Sequence, residues 1–136
     1  MDNRELIKLS LEARKNSYSP YSGCKVGAAL LTEDGRVYTG CNIENASFGL
    51  TVCAERTAFF KAVNEGARGF AKIAITGGKD DMPVSYFYPC GACRQVMSEF
   101  CGGDFEIITA LSEDEYISKT LDELLPLRFG PDEVTG

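Results

Sequence analysis

The sequence predicts an α/β fold with a mixed sheet: an antiparallel hairpin near the N-terminus, and parallel strands later. Asp34-Gly35 lies between two short runs of strand-forming residues, which is a hairpin signal. The later strand segments alternate with helical segments, which favours parallel pairing. With 136 residues, of which 44% are apolar, we expect one domain spanning residues 1–136 with a real core.

The first element is a helix. Asp2 and Glu5 have capping-box spacing, so the helix is predicted to begin near Asn3. Strand patterns follow at 25–31 and 37–41, and they form the two arms of the hairpin.

A loop without clear periodicity covers residues 42–52. Residues 53–65 carry alanines at four-residue steps and are apolar on most sides, which predicts a buried helix. Gly66 fits the end of that helix. Residues 70–76 read as a strand, which Gly77-Gly78 is expected to end.

The last third begins with a loop at 79–88, which carries an aromatic tip at Tyr86-Phe87-Tyr88. A second helix is expected directly after Pro89, with Cys93, Val96, Met97 and Phe100 on one face, and Gly102-Gly103 is expected to end it. Residues 105–111 read as a strand, and a capping box within 120–123 starts a short helix. The tail, 127–136, is predicted to be irregular.

The charge balance argues against some partners. There are 14 basic and 20 acidic residues, a formal charge of −6, and no basic stripe, which opposes binding to nucleic acid. The N-terminal segment is charged, and no apolar run is long enough to span a bilayer, so no membrane contact is expected. We therefore expect a cytoplasmic, reducing location, where the six cysteines serve as thiols, ligands or core residues.

The chain contains no histidine. Catalysis by serine–histidine or cysteine–histidine pairs is excluded within this chain, and so are histidine-based zinc motifs. A metal must be held by thiolates or carboxylates, and a general base must come from Glu, Asp, Lys, Tyr or Cys.

Three cysteines have the spacing of a metal site. Cys53 starts one predicted helix, and Cys90 and Cys93 form a CxxC at the start of another. A catalytic zinc uses three protein ligands and keeps one open position, and helix N-termini favour the thiolate form. Glu55 is placed to act as general acid and base. Arg56 offsets part of the net charge of about −1 that three thiolates and a divalent cation carry.

Other interpretations of the cysteines remain open. An isolated CxxC also occurs in redox motifs and structural zinc sites. A four-thiolate structural zinc needs a further ligand from Cys24, Cys41 or Cys101. The last two are more simply core residues, and a structural site leaves the nearby glutamate unexplained.

Taken together, these motifs resemble the small homotetrameric cytidine deaminases of nucleoside salvage, over almost the full length. The resemblance implies a three-layer α/β/α fold of that family and a homotetramer. The matching segments are VGAAL at 26–30, GCNIENA at 40–46, CAERTA at 53–58, PCGACRQ at 89–95, and ELLP at 123–126 followed by Phe129.

The resemblance also implies the chemistry. The three cysteines hold one Zn²⁺ per subunit, and Glu55 shuttles protons. The substrate is a small-molecule nucleoside, cytidine or 2′-deoxycytidine, which is hydrolysed at C4 to uridine or 2′-deoxyuridine with release of ammonia. Arg56 resembles the arginine that softens the charge of the thiolates.

The remaining assignments concern the nucleoside pocket. Asn42 and Glu44 are implied to hold the ribose hydroxyls, and the backbone N–H of Ala54 is a candidate contact to the base. Phe129 corresponds to an aromatic residue that stacks on the pyrimidine from a neighbouring subunit. Cys24 stands where the family often has an aromatic pocket residue, so the pocket is either wider or filled by another side chain; simple strand-edge packing is the preferred interpretation of Cys24.

Three alternatives follow. The first is a related zinc deaminase that acts on another aminopyrimidine nucleoside, including a nucleoside-like antibiotic. The second is a nucleic-acid deaminase, and the third is a non-catalytic zinc module. The negative charge disfavours the second, and the third needs a fourth protein ligand.

Overall fold

The computed structural model describes residues 1–79 and 84–135. Among them are five helices and five strands, together with two single-turn 3₁₀ segments. The helices are α1 (Asn3–Ala13), α2 (Ala54–Asn64), α3 (Gly91–Phe100), α4 (Leu121–Leu124) and α5 (Asp132–Thr135). The strands are β1 (Cys24–Thr32), β2 (Val37–Cys41), β3 (Phe70–Lys79), β4 (Glu106–Ala110) and β5 (Tyr116–Thr120).

The strands form one mixed sheet in the order β2-β1-β3-β4-β5. The hairpin β1–β2 is antiparallel, and β3 pairs with β4 in parallel, as the sequence predicted. β1 and β3 pair antiparallel over nine residue pairs and form the centre of the sheet. The α/β class with a mixed sheet is therefore confirmed.

Helices cover both faces of the sheet, which gives the three-layer α/β/α arrangement. On one face α1 packs against β1, β3 and β4 through a small apolar core. On the other face α2 and α3 pack over a larger core centred on the fully buried Phe59. The smaller core contains Leu6, Ile7, Ala29, Leu31, Ala74, Ile108 and Ala110.

Strand direction brings the starts of α2 and α3 to the same end of the sheet, where β2 and β3 finish. Both β2 and β3 are antiparallel to β1, so they run in the same direction. α2 follows β2 and α3 follows β3 in the chain. The loops after the two strands therefore leave from the same end, and both helices run back across the same face from that end.

Local signals at helix ends are confirmed. Both predicted capping boxes are present, with the side chains of Asp2 and Thr120 each accepting from the backbone N–H three residues later. Gly66 follows α2 with a φ of 96°. Within the described residues, no helix is both long and apolar enough to cross a bilayer.

Four expectations were wrong. Gly77-Gly78 does not end β3, which continues to Lys79 because both glycines pair with β1. α2 is not buried all round, since Phe60 is 49% exposed. The tail contains the short helix α5.

The fourth error is strand β5, which the sequence did not predict. It pairs antiparallel with β4 at the edge of the sheet, and its residues are mostly exposed. An exposed edge strand lacks the apolar alternation that marks a half-buried strand. Residues 80–83 of the predicted loop 79–88 lie outside the described residues.

Gly40 lets α2 approach β2 closely. A Cβ at this position would lie 2.6 Å from the carbonyl oxygen of Ala54 and 2.6 Å from the amide nitrogen of Ala58, both backbone atoms. We expect Gly40→Ala to lower the free energy of unfolding by about 3 kcal/mol, the upper end of the usual range for overpacking. Urea unfolding measures this. Gly49→Ala is the control, because nothing lies within 4 Å of a Cβ there; equal loss in both variants would contradict close packing at Gly40.

Candidate metal centre and catalytic pocket

Three thiols meet where helices α2 and α3 begin. The sulfur atoms of Cys53, Cys90 and Cys93 lie within 4.8 Å of one another. The Cys53–Cys90 and Cys90–Cys93 sulfur distances are 3.7 and 3.5 Å. A tetrahedral zinc with Zn–S bonds of about 2.3 Å separates its sulfurs by about 3.8 Å. The spacing of the cluster therefore fits a single zinc-sized ion.

Helix geometry positions each of the thiols. Cys53 is the N-cap of α2 and Cys90 is the N-cap of α3, both with extended backbone and without a side-chain capping bond. Cys93 lies in the first turn of α3 and is 1% exposed. Backbone N–H groups at a helix N-terminus lack intrahelical acceptors and carry partial positive charge. Both helix ends therefore favour negative charge on the cluster.

The cluster carries uneven acidities. A hydrogen bond from Cys93, together with the Arg56 guanidinium, lowers the pKa of Cys53 to about 5 against the opposing effect of burial. The same hydrogen bond and burial raise the pKa of Cys93 well above its usual range. The bare thiols therefore favour one negative charge shared through hydrogen bonds. A thiophilic divalent cation would supply the positive charge that lets all three ionise.

Arg56 lies directly against the cluster. Its Nη2 is 3.5 Å from the Cys53 sulfur and 3.5 Å from the carbonyl oxygen of Thr51. The negative sulfur raises the pKa of Arg56 still further, so the guanidinium stays charged. This contact places a permanent cation beside the three sulfurs.

Glu55 is a buried carboxyl group beside the sulfurs. It is 4% exposed and is not part of the thiol cluster. Burial, followed by the charge on Cys53, raises the pKa of Glu55 to about 7. A carboxyl group with that pKa both accepts and donates a proton near neutral pH.

A mostly apolar cavity of about 260 Å³ opens onto these groups. Its lining includes Asn42, Thr51, Ala54 and Glu55, together with Cys53 and Cys90. A larger cavity of about 490 Å³ lies between the end of α3 and the tail. The smaller one is the candidate site, because the thiols and the buried acid converge there.

Asn42 is buried, and most of the hydrogen-bonding capacity of its amide is used within the fold. Its Oδ1 accepts from the backbone N–H of Val26 at 2.9 Å and from the hydroxyl of Ser17 at 2.5 Å, and its Nδ2 donates to the carbonyl of Cys24 at 2.8 Å. One amide hydrogen of Asn42 remains for a ligand, since Nδ2 carries two.

Glu44 lies in a hollow next to the cavity, and Thr51 lines both. Its carboxylate accepts from the backbone N–H of Tyr21 at 2.9 Å, from that of Ser22 at 3.2 Å and from the Ser22 hydroxyl at 2.5 Å. The hydroxyl bond is the main cause that lowers the pKa of Glu44. Glu44 is therefore a fixed, ionised acceptor at the rim.

Phe129 is not brought to the cavity of its own chain. Its side chain is 60% exposed, and its carbonyl oxygen accepts from Gln95 and Ser98, which attaches the tail to α3. Cys24 lines the cavity as the first residue of β1, so it is more than strand-edge packing.

The remaining thiols lie outside the cluster. Within the described residues, which include all six cysteines, no fourth thiol joins the three. Cys101 packs against the main core, and burial raises its pKa to about 12. Cys41 is half-buried, and burial raises its pKa as well. Neither has the environment of a thiolate ligand.

Several pocket residues were missed from the sequence. Thr51, Val26, Ile75, Phe87 and Tyr88 line the cavity through the packing of distant segments. The unusual aromatic run at 86–88 was the one signal that pointed to two of them. The apolar strand residues gave no local sign, because a pocket-facing and a core-facing valine look alike in sequence.

Comparison with known proteins gives consistent matches. Residues 1–109 match the family model described as the cytidine and deoxycytidylate deaminase zinc-binding region. The chain is 47% identical over 135 residues to a cytidine deaminase of Sporosarcina psychrophila, covering 99% of this chain and 96% of the relative. It is 48% identical over 134 residues to a cytidine deaminase of Halalkalibacterium halodurans, covering 98% of each.

Solved structures agree with the sequence relatives. The crystal structure of a cytidine deaminase from Burkholderia pseudomallei superposes with a TM-score of 0.87 at 44% identity, covering 95% of this chain and all of that chain. The crystal structure of a cytidine deaminase from Mycobacterium tuberculosis has a TM-score of 0.80 at 38% identity, covering 96% of this chain and 98% of that chain.

The thiol cluster can be tested by metal content. We expect Cys53→Ser and Cys93→Ser each to weaken zinc retention by at least about tenfold, since changes even to the outer-shell partners of a ligand cost on the order of 10–100-fold in affinity. Mass spectrometric metal analysis after dialysis against a chelator measures it. Cys101→Ser is the matched control, because Cys101 is a partly buried thiol outside the cluster. Loss of zinc from Cys101→Ser as well would indicate a four-thiolate structural site.

Proposed function

The chain belongs to the cytidine and deoxycytidylate deaminase family, and from that premise we propose that it deaminates cytidine and 2′-deoxycytidine by zinc-dependent hydrolysis. Uridine or 2′-deoxyuridine and ammonia are the products, as nucleoside salvage requires. The observation that carries this proposal is the buried Glu55, which lies beside three clustered thiols and opens onto a small cavity.

The donor set suits zinc. Cys53, Cys90 and Cys93 would hold one Zn²⁺ per subunit, since their sulfur spacing matches a tetrahedral site and zinc prefers thiolates. When bound, the ion supplies Lewis acidity that lowers the pKa of water from about 15.7 toward about 7. Arg56 offsets the residual negative charge of the sulfurs.

Glu55 is the proton carrier of the reaction. It takes a proton from the attacking water and delivers it to N3 of the cytosine ring, while the hydroxide formed adds to C4. It then takes the remaining hydroxyl proton and passes it to the amino group at C4. The C4–N bond breaks, ammonia leaves and the C4 carbonyl of uridine forms. A pKa of about 7 suits both directions of transfer.

The pocket residues favour a free nucleoside. Asn42 and Glu44 bind the ribose hydroxyls, and the backbone N–H of Ala54, at the start of α2, is directed to the base or the reacting centre. Because Glu44 is ionised, it repels a phosphate group placed near it. This supports a nucleoside rather than a nucleotide or a nucleic acid as the substrate.

The active form is a homotetramer in which Phe129 of one subunit reaches the site of another. The exposure of Phe129 in the single chain, and the fact that it does not line the cavity of its own chain, support this arrangement. We place the enzyme in the cytoplasm, because three ligand thiols need a reducing compartment. Residues 1–136 act as one domain, with ligands from both site helices on one sheet.

Glu55→Gln tests the proton carrier. The amide keeps the shape of the side chain but cannot accept the proton, so we expect zinc to be retained and kcat to fall on the order of 10²–10⁴-fold. Absorbance change with cytidine and ammonia release measure the rate. Glu65→Gln, the same change at an exposed position just after α2, is the control. Full turnover by Glu55→Gln would remove Glu55 from the mechanism.

Subunit crossing is tested by mixing two impaired variants. Phe129→Ala lacks the stacking ring and Glu55→Gln lacks the proton carrier, so each is expected to be weak alone. In mixed tetramers an intact Glu55 meets an intact Phe129 from the neighbour, and activity should rise about two- to sevenfold over the sum of the two (stacking of this kind is worth about 0.5–1.5 kcal/mol, and half the neighbours in an equal mixture carry the ring). Absence of any gain, or an active monomer by gel filtration, would contradict the crossing.

A further inference from the structure

Ser85 pairs with strand β3. The backbone N–H of Ser85 donates to the carbonyl oxygen of Gly77 at 2.8 Å, and the two residues form an isolated antiparallel bridge. The run Tyr86-Phe87-Tyr88 follows at once and leads to the start of α3. The aromatic run is therefore anchored at both ends beside the cavity.

Phe87 lies directly on the backbone of Gly77. A Cβ at Gly77 would lie 2.6 Å from Cγ and 2.8 Å from Cδ2 of the Phe87 ring, closer than real contacts allow. Phe87 is also half-buried and packs against the main core. The absence of a side chain at Gly77 thus creates the seat in which this ring rests.

The seat faces the reaction site. Gly77 pairs with Val26 of β1, and Cys24 is two residues before Val26, on the same face of the strand. Phe87, Val26 and Cys24 all line the cavity that contains Glu55. Within the described residues, the aromatic part of that lining comes from Phe87 and Tyr88, and Tyr88 is 44% exposed. Phe87 is the ring that is both held in place and exposed to the cavity.

We propose that Phe87 is a specificity-determining residue: its ring forms the fixed aromatic wall against the pyrimidine of the substrate, and Gly77 is the positioning residue that seats it. This inference rests on the proposed deaminase function. Cys24, which lines the same cavity, carries a small side chain, so Phe87 is the larger of the two and limits the width of the pocket.

Two kinetic effects follow. Loss of the ring removes contact with the base in the ground state and the transition state alike, so KM rises while kcat changes little. Loss of the ring also enlarges the cavity, so cytidines with a methyl group or bromine on the pyrimidine are discriminated against less. A purely structural role for Phe87 predicts neither the separation of KM from kcat nor the change in preference.

The experiment begins with the zinc-loaded wild-type enzyme and cytidine. No turnover at that stage refutes the proposed function and, with it, the inference. With turnover established, we expect Phe87→Ala to raise KM for cytidine about tenfold with kcat within about threefold. Its kcat/KM ratio for ring-substituted over unsubstituted cytidine should rise at least about fivefold. Phe87→Leu keeps most of the apolar volume and removes the ring, so it should raise KM as Phe87→Ala does. It takes the place of Phe87→Ala if that variant folds poorly. Phe87→Tyr keeps the ring and should have the KM and kcat of the wild type.

Gly77→Ala provides the second arm. Its methyl group displaces the ring, so it should raise KM in the wild-type background and have no further effect in Phe87→Ala. Tyr86→Ala removes a neighbouring aromatic residue that is outside the cavity lining, and it should leave KM within about twofold. Unchanged KM in Phe87→Leu, unchanged substrate preference in a folded Phe87→Ala, or additive effects of Gly77→Ala and Phe87→Ala would overturn the proposal while leaving the deaminase function intact.

Discussion

The convergence of two helix N-termini on one end of the sheet is the constraint on which the site depends. β2 and β3 run in the same direction only because both are antiparallel to β1, so the central strand fixes where α2 and α3 begin. The three cysteines come together because each occupies a cap or first-turn position of one of these helices, so placing the helix starts also places the thiols. A slip of one residue between β1 and β3 would turn every side chain of one strand to the other face and dismantle the cluster.

The negative charge of the sulfurs is balanced by more than one source of positive charge. The sulfurs repel one another once ionised, the helix ends and Arg56 favour the negative charge, and a bound cation completes the compensation. Burial, together with the same negative charge, raises the pKa of Glu55 to about 7. The acid chemistry and the metal chemistry are thus one electrostatic system, because the charge that attracts the cation also sets the proton affinity of the carboxyl group.

The sequence predicted what local patterns encode. Capping boxes, turn glycines and thiol spacing located the ends of helices and the candidate ligands, since each of these signals lies within a few residues. Strand β5 was missed because its edge position leaves it without an apolar alternation. The reach of β3 past Gly77 and the seat of Phe87 were missed for a different reason. Both arise from pairing between segments distant in sequence, and a pair of glycines reads as a break unless the neighbouring strand is known.

Asn42 shows how closely recognition and architecture are joined. Its backbone N–H donates to the carbonyl of Val26 while its side-chain oxygen accepts from the N–H of Val26, so a side-chain amide stands in for a peptide group. The β1–β2 pairing is thereby extended by one residue pair, although the main-chain carbonyl of Asn42 accepts instead from the backbone N–H of Tyr18. Substitution at this position is therefore restricted by the fold itself: a replacement must imitate a peptide bond, and among the genetically encoded side chains only the primary amides share that chemistry. The ribose contact proposed for Asn42 would add a second restriction.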